Sequence, residues 1–135
     1  LGYSTFTKVY NKHIVIGDYL PNEVDCGHRA LSNLALHYIS FLDNGTLAEQ
    51  QFKNVNNMTL QLSALSNLVK AGNGAQALAK FYEQWRNERL VIDKWFSLQV
   101  VSCDPEVAVS IATTLTKHTD FTLKNLIGFV LLLER

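Results

Sequence analysis

Ala30-Leu31-Ser32-Asn33-Leu34-Ala35-Leu36-His37-Tyr38-Ile39-Ser40-Phe41-Leu42 is the stretch whose reading decides the fold class. Ala30, Leu31, Leu34, Ala35, Tyr38, Ile39 and Leu42 recur at spacings of three and four, which draws one apolar stripe down a helix. A half-buried strand would instead place apolar residues two apart. Asn44-Gly45 stops this helix, because glycine enters the left-handed conformation without a Cβ clash. Its start is expected near Glu23.

Working downstream, Thr46-Leu47-Ala48-Glu49 has the form of a capping box and predicts a second helix to about Val55. Thr59 is the expected N-cap of a third, with Leu62, Leu65, Leu68 and Val69 inward and Gly72-Asn73-Gly74 as its stop. Ala75, Leu78, Ala79, Tyr82 and Trp85 mark a fourth, which turns polar through Arg86-Asn87-Glu88-Arg89. Leu90-Val91-Ile92 leads into a fifth with Trp95, Phe96 and Leu98 inside. Asp104-Pro105 then offers an N-cap with proline at the first helical position, and a sixth helix with Val107, Ile111, Ala112 and Leu115 inward runs to about His118. Residues 121–135 are expected to form a seventh.

Upstream, the β-branched run Ile14-Val15-Ile16 and the break Gly17-Asp18 before Pro21 suit a connector, or the frayed end of a preceding helix, over residues 1–22. Helix-pair starts near Glu23, Thr59 and Val91 recur at roughly 30 to 36 residues, the length of one antiparallel α-hairpin. The expected fold is all-α: about six or seven helices in stacked antiparallel hairpins, an α-α superhelix of HEAT or armadillo type, over residues 23–135.

Composition narrows the function classes. The chain has 135 residues, 47% hydrophobic and 18% charged, enough apolar material for one core and too little length for two ordinary domains. Lys plus Arg balance Asp plus Glu at 12 each, so no net field favours nucleic acid or an anionic membrane. The longest apolar run, Leu126 to Leu133, is far shorter than the ~20 residues a membrane-crossing helix needs. Cys26 and Cys103 form neither a CxxC pair nor a dense framework, and reduced, buried thiols in a cytoplasmic protein are expected. Leu1-Gly2-Tyr3-Ser4 has no initiator methionine and no leader pattern, as expected for a piece of a longer chain.

A search for reactive constellations assigns no catalytic, substrate-binding or metal-ligating residue. His13, His28, His37 and His118 contain no HExxH arrangement, and Cys26-Gly27-His28 is a C-x-H pair that needs two more ligands from elsewhere. No GxSxG, GxxxxGK[ST] or GxGxxG motif occurs. Glu83, Glu88, Asp93 and Asp104 read as solvated helix faces. Asn44-Gly45-Thr46 and Asn57-Met58-Thr59 satisfy the glycosylation sequon, but each threonine already has a use as a helix cap. Phe81, Tyr82, Trp85, Trp95 and Phe96 at helical spacing are expected to build core rather than a ligand cage, with Lys94 beside them as a structural cation.

Three stretches carry a family resemblance: Asp25-Cys26-Gly27-His28-Arg29-Ala30-Leu31-Ser32-Asn33-Leu34-Ala35-Leu36-His37-Tyr38-Ile39; Asn56-Asn57-Met58-Thr59 running into Ser63-Ala64-Leu65-Ser66; and Leu90-Val91-Ile92-Asp93-Lys94-Trp95-Phe96-Ser97-Leu98-Gln99. In this order and spacing the chain resembles the C-terminal region of aminopeptidase N of the bacterial and plant type, over about residues 8 to 125. Asp93-Lys94-Trp95-Phe96 with Leu98-Gln99 is the most specific part. The resemblance implies the start of a larger all-helical C-terminal domain lying over an upstream zinc-dependent catalytic domain that removes residues from peptide N-termini. The zinc, held by an HExxH helix and a distant glutamate, belongs to that upstream domain, and no cofactor is implied for this chain. Leu60 stands where the family usually has an acidic residue, Ser32 replaces a usual basic one, and after Asn125 the chain passes straight to Leu126-Ile127-Gly128-Phe129 where the family continues with Pro-Asn-Arg.

The expected function is therefore a non-catalytic wall that encloses the parent's cavity and restricts peptide access. Its expected partners are the catalytic domain of the same polypeptide, peptides in the parent only, and a second copy through exposed apolar surface, with no nucleic acid and no membrane. The alternative is a stand-alone helical-repeat module that binds a partner protein on its concave face.

Overall fold

A computed structural model describes residues 2–16, 20–55 and 57–122. Among them lie seven helices and no strand: α1 Gly2–His13, α2 Glu23–Asp43, α3 Thr46–Asn54, α4 Met58–Lys70, α5 Ala75–Trp85, α6 Arg89–Val101 and α7 Pro105–Leu115. They fall into two compact units, Leu1–Ala77 and Leu78–Arg135. The helix expected over 121–135 lies, from residue 123 onward, outside the described residues.

In the first unit α1 packs on α2, and α3 packs on α4. The nine-residue α3 turns the chain back, so α4 runs in the same direction as α2 and lies beside it. The turn before α3 is built by Asn44 at φ 56° and Gly45 at φ 83°, both left-handed. That geometry brings the Asp43 carboxylate onto the N-terminus of α3, where it accepts from the N–H groups of Gly45 and Leu47, each at 3.0 Å. The capping box expected of Thr46 and Glu49 does not form: the Thr46 hydroxyl donates to the Asp43 carbonyl, and Glu49 pairs with Lys53 one turn on. The cap of α4 is likewise Asn57, two residues before the expected Thr59, and its side-chain oxygen accepts from the Thr59 and Leu60 N–H groups.

The buried face of α2 is turned from the expected stripe. Ser32, Ala35, Leu36, Ile39 and Ser40 are buried, whereas Leu31, Leu34, Tyr38 and Leu42 are exposed. The reason is that α2 has more than one neighbour: α1 reaches the flank that carries Tyr38, with Phe6 and Tyr38 stacked at 4.9 Å, and α3 and α4 pack on α2 as well. Ser32 and Ser40 enter the core cheaply because each hydroxyl donates to a carbonyl of its own helix, Arg29 and Leu36.

The N-terminus differs from the connector or frayed end expected. Residues 2–13 form a three-turn helix whose Tyr10 is buried. Tyr10 Oη donates to Gln51 Oε1 at 2.5 Å, and Gln51 Nε2 donates to the Leu60 carbonyl at 2.8 Å. Gln51 thus ties α1, α3 and α4 through one buried amide. Ile14-Val15-Ile16 follows the helix end and does not prevent the helix, since packing against α2 outweighs local propensity.

The second unit is an aromatic core. Phe81 and Phe96 are fully buried, and Trp95 nearly so, with its Nε1–H donating to the Leu78 carbonyl at 2.9 Å. The expected stripe of α5 is again offset in this unit, because Phe81 is fully buried while Ala79 is exposed and Leu78, Tyr82 and Trp85 are half-buried. In α6 the expectation holds for Trp95 and Phe96. Helix α7 begins at Pro105 after Asp104 and ends at Leu115; Leu115 is buried, while Val107 is exposed. His118 lies beyond its end and sets its ring edge-on against Tyr82, Trp95 and Phe96 at 5.1 to 5.4 Å.

Candidate functional site

Side by side, α2 and α4 enclose an open groove of about 560 Å³ in the first unit. Short side chains in its lining leave the space open: Ala30 and Asn33 on α2, Ser63 and Ser66 on α4, with Asn33 meeting Ser63. Leu34, exposed, and Leu62, half-buried, also line it.

Its floor is cross-linked at two levels, one turn apart. The Ser63 hydroxyl donates to Asn33 Oδ1 at 2.7 Å. One turn further, Asn67 Oδ1 faces His37 Nδ1 at 3.3 Å while Asn67 Nδ2 donates to the Ser63 carbonyl at 3.0 Å. The second bond fixes the amide orientation, so Oδ1 accepts and His37 carries its proton on Nδ1. Beyond this level a recess of about 20 Å³ opens between His37, Phe41 and Lys70.

The floor therefore engages both amide oxygens internally and keeps amide and ammonium donors to spare, beside His37 Nε2, which is an acceptor in this tautomer. Asn33 Nδ2 has no partner among the described residues, nor has the Lys70 ammonium, while Asn33 Oδ1 and Asn67 Oδ1 are both engaged. Among the described residues, Lys70 is also the only formally charged one in the lining. It stands in the last turn of α4, where a cation would ordinarily serve the helix carbonyls. Those carbonyls are already met by the following turn: Asn67, Leu68 and Val69 accept from the N–H groups of Ala71, Asn73 and Gly72.

The other polar clusters are structural in form. The Tyr82 hydroxyl donates to the Asp120 carboxylate, which raises the tyrosine above its ordinary value of 10.0, and the Asp120 N–H donates to His118 Nδ1 at 3.1 Å. This staples the segment after α7 onto the aromatic core. Cys103 is half-buried, its thiol pushed up by burial and donating to the Val100 carbonyl, so it is a poor thiolate. Cys26 is exposed, contrary to the buried thiol expected, because α2 turns that side of its first turns to solvent. Among the described residues no three His, Cys, Asp or Glu side chains converge as a metal site would require. His28 instead meets His13, an approach across 15 positions that no motif signals.

Nor did any sequence signal mark the groove, because its polar residues Asn33, Ser63 and Asn67 become neighbours only through the parallel placement of α2 and α4. No helix among the described residues is long and apolar enough to cross a membrane.

An all-helical chain of paired helices with a groove between parallel neighbours is a helical-repeat protein, and comparison with known proteins agrees. The chain belongs to the family described as a domain of unknown function (DUF3458_C), ARM repeats, whose pattern it matches over residues 3–125. It is similar to aminopeptidase N of Haemophilus influenzae, with 37% identity over 123 residues. It is 34% identical to aminopeptidase N of Escherichia coli over 122 residues and 29% identical to that of Caulobacter vibrioides over 123. These matches cover 87 to 89% of this chain but 14% of each relative. The resemblance to a helical region of aminopeptidase N is thus shown, for a chain that spans about one seventh of the length of those relatives.

Proposed function

We propose that this chain is a non-catalytic part of the C-terminal helical domain of an aminopeptidase N, where it walls the cavity through which peptides reach an upstream catalytic domain. The observation that carries the reading is the match to three aminopeptidases N at 14% of their length, by a chain whose described residues form seven helices and no strand. In that setting removal of N-terminal residues from peptides, and the zinc that supports it, belong to the rest of the polypeptide. The described side chains offer no such centre. Restriction of access is the contribution of a rigid helical wall, which admits extended peptides and rejects folded ones. A cytoplasmic setting fits the two free thiols.

Val24, Leu31 and Phe41 are exposed large apolar residues of α2, which suits packing against the remainder of the protein. The isolated chain is expected to self-associate through it, read by size-exclusion chromatography against concentration. The function itself is tested in the full-length protein that carries this segment, by comparing kcat/KM for an aminoacyl anilide and for a long peptide. A tryptophan at Ser66 should depress the long-peptide value several-fold and leave the anilide value unchanged. Equal effects on both, or anilide turnover by the isolated chain with zinc, would overturn the reading.

A further inference from the structure

We infer that the α2–α4 groove is a binding subsite for an extended peptide with a free carboxy-terminus, lying with its carboxylate toward Lys70 and an apolar side chain toward Leu34 and Leu62. This deepens the reading of the chain as a cavity wall and rests on it for the choice of a peptide. The chemistry of the groove selects the ligand.

With Asn33 Oδ1 and Asn67 Oδ1 bonded internally, the groove presents Asn33 Nδ2 and Lys70 Nζ as donors without a partner among the described residues, against His37 Nε2 as a ring acceptor. A surplus of donors binds a chain rich in acceptors, and peptide carbonyls are such a chain. The single charge is cationic, no carboxylate lines the groove, and the turn N–H groups release Lys70 from capping α4. An ammonium left in this position favours an anion at that end over the opposite end. Leu34 and Leu62 flank the groove at the level of the Asn33–Ser63 bond, about 12 Å of helix rise from Lys70, and Ala30 and Thr59 lie beyond them; the two leucines suit an apolar side chain.

Length agrees as well. From Thr59 to Lys70 the α4 wall rises about 16 Å at 1.5 Å per residue. An extended peptide of about five residues covers that distance at roughly 3.3 Å each.

The probe is the N-acetylated pentapeptide Leu-Ala-Ala-Ala-Ala as its free acid, with the carboxamide and sodium acetate as comparison ligands. Amide chemical shifts of the 135-residue chain report binding. The free acid should move the Asn33 side-chain amide and the backbone signals of Ser63, Asn67 and Lys70, and should bind at least tenfold more tightly than the carboxamide. Lys70→Met should remove that difference. Asn33→Asp keeps an acceptor for Ser63 but replaces the free donor, and should weaken both peptides at least fivefold. Lys70 is exposed, so a folded variant is expected, and unchanged far-UV circular dichroism checks both. Absence of shifts, acetate binding as tight as the peptide acid, or affinities indifferent to both substitutions would each overturn the assignment. If the groove stays silent while Ser66→Trp still alters long-peptide turnover in the full-length protein, the subsite falls and the wall stands.

Discussion

His13 and His28 meet through their Nδ1 atoms at 2.7 Å, closing the end of α1 onto the second turn of α2. Their ring centres are 4.9 Å apart with planes 28° from parallel, so the two nitrogens lie near the line between the rings and the contact is edge to edge. One nitrogen donates and the other accepts. The pair can therefore hold its bond while neutral or with one added proton, and loses it when both rings are imidazolium. Desolvation first, then the charges of His28 and Lys12, hold His13 below its ordinary value of 6.5. The charges that act on it are thus cationic, one from α2 and one from its own helix.

The sign of the pH dependence follows. A histidine whose folded value is lowered contributes stability that is present above 6.5 and lost as pH falls through the lower folded value. His13 should titrate below 6.5 in histidine-ring NMR, and the contact between α1 and α2 should weaken on acidification. In His28→Gln the second basic ring is gone, so His13 should move up toward 6.5. A wild-type His13 titrating at or above 6.5 would contradict the pairing.

Gln51 is the other joint of the first unit, buried with one end on Tyr10 Oη and the other on the Leu60 carbonyl. Gln51→Leu has nearly the same volume but leaves both groups without their partner inside a packed interior. Each unsatisfied buried group costs about 1 to 3 kcal/mol, so a loss of about 2 to 5 kcal/mol is expected in urea denaturation. Tyr10→Phe removes one bond and leaves Gln51 Oε1 without its partner, so it should cost about 1 to 3 kcal/mol, less than Gln51→Leu. Tyr10 itself, pushed up by burial to about 12, should stay protonated through the alkaline range in which exposed tyrosines ionise.

Periodicity made the helices legible; it did not fix their rotation. Leu36 and Ile39 reach the core of α2 while Leu31 and Leu34, equally apolar, stay out, because which flank is covered depends on where α1, α3 and α4 arrive. The aromatic pair Trp95 and Phe96 was readable without that knowledge, since residues of such size are rarely left in water. Helix α1 was hidden by its own weak local signals and is recognised through Phe6 on Tyr38 and Tyr10 on Gln51. The groove was illegible for the same reason: Asn33 and Ser63 are ordinary polar helix residues until two parallel helices place them 2.7 Å apart.

The turn after α2 gives a direct contest between two caps. Sequence pattern favours Thr46 with Glu49, whereas the bonds to the α3 N-terminus come from Asp43. Asp43→Ala should therefore cost about 1 kcal/mol, the usual loss for an N-terminal cap, and Thr46→Ala should cost clearly less. Matched urea titrations of the two variants decide it; an equal or larger loss for Thr46→Ala would restore the capping box.

Trp95 anchors the second unit by area and by one bond, its ring packed near Tyr82, Phe96 and His118 and its Nε1–H on the Leu78 carbonyl. Trp95→Ala is expected to cost about 3 to 5 kcal/mol. Trp95→Phe keeps much of the packing and loses the bond, so its cost should lie between that of Trp95→Ala and wild type. Chemical denaturation followed by the remaining Trp85 fluorescence gives both values, and an unchanged midpoint for Trp95→Ala would remove Trp95 from the core.

Two glycines after α4 are required for different reasons, and alanine separates them. Gly72 sits at φ +79° with nothing within 4 Å of an added Cβ, so Gly72→Ala meets only the backbone cost of the left-handed region, about 1 kcal/mol. Gly74 has no such dihedral strain. A Cβ there would lie 2.7 Å from Val69 Cγ2 and 3.0 Å from the Val69 Cα and N atoms, a clash with side chain and backbone together. Gly74→Ala should accordingly destabilise more than Gly72→Ala, in the range of about 1 to 3 kcal/mol seen for overpacked sites. Adding Val69→Ala removes the Cγ2 conflict but leaves the backbone contact, so the double variant should be less damaged than the sum of the two single losses. A double-mutant cycle by urea denaturation measures that coupling; strict additivity would show that the close approach of Val69 does not explain the glycine.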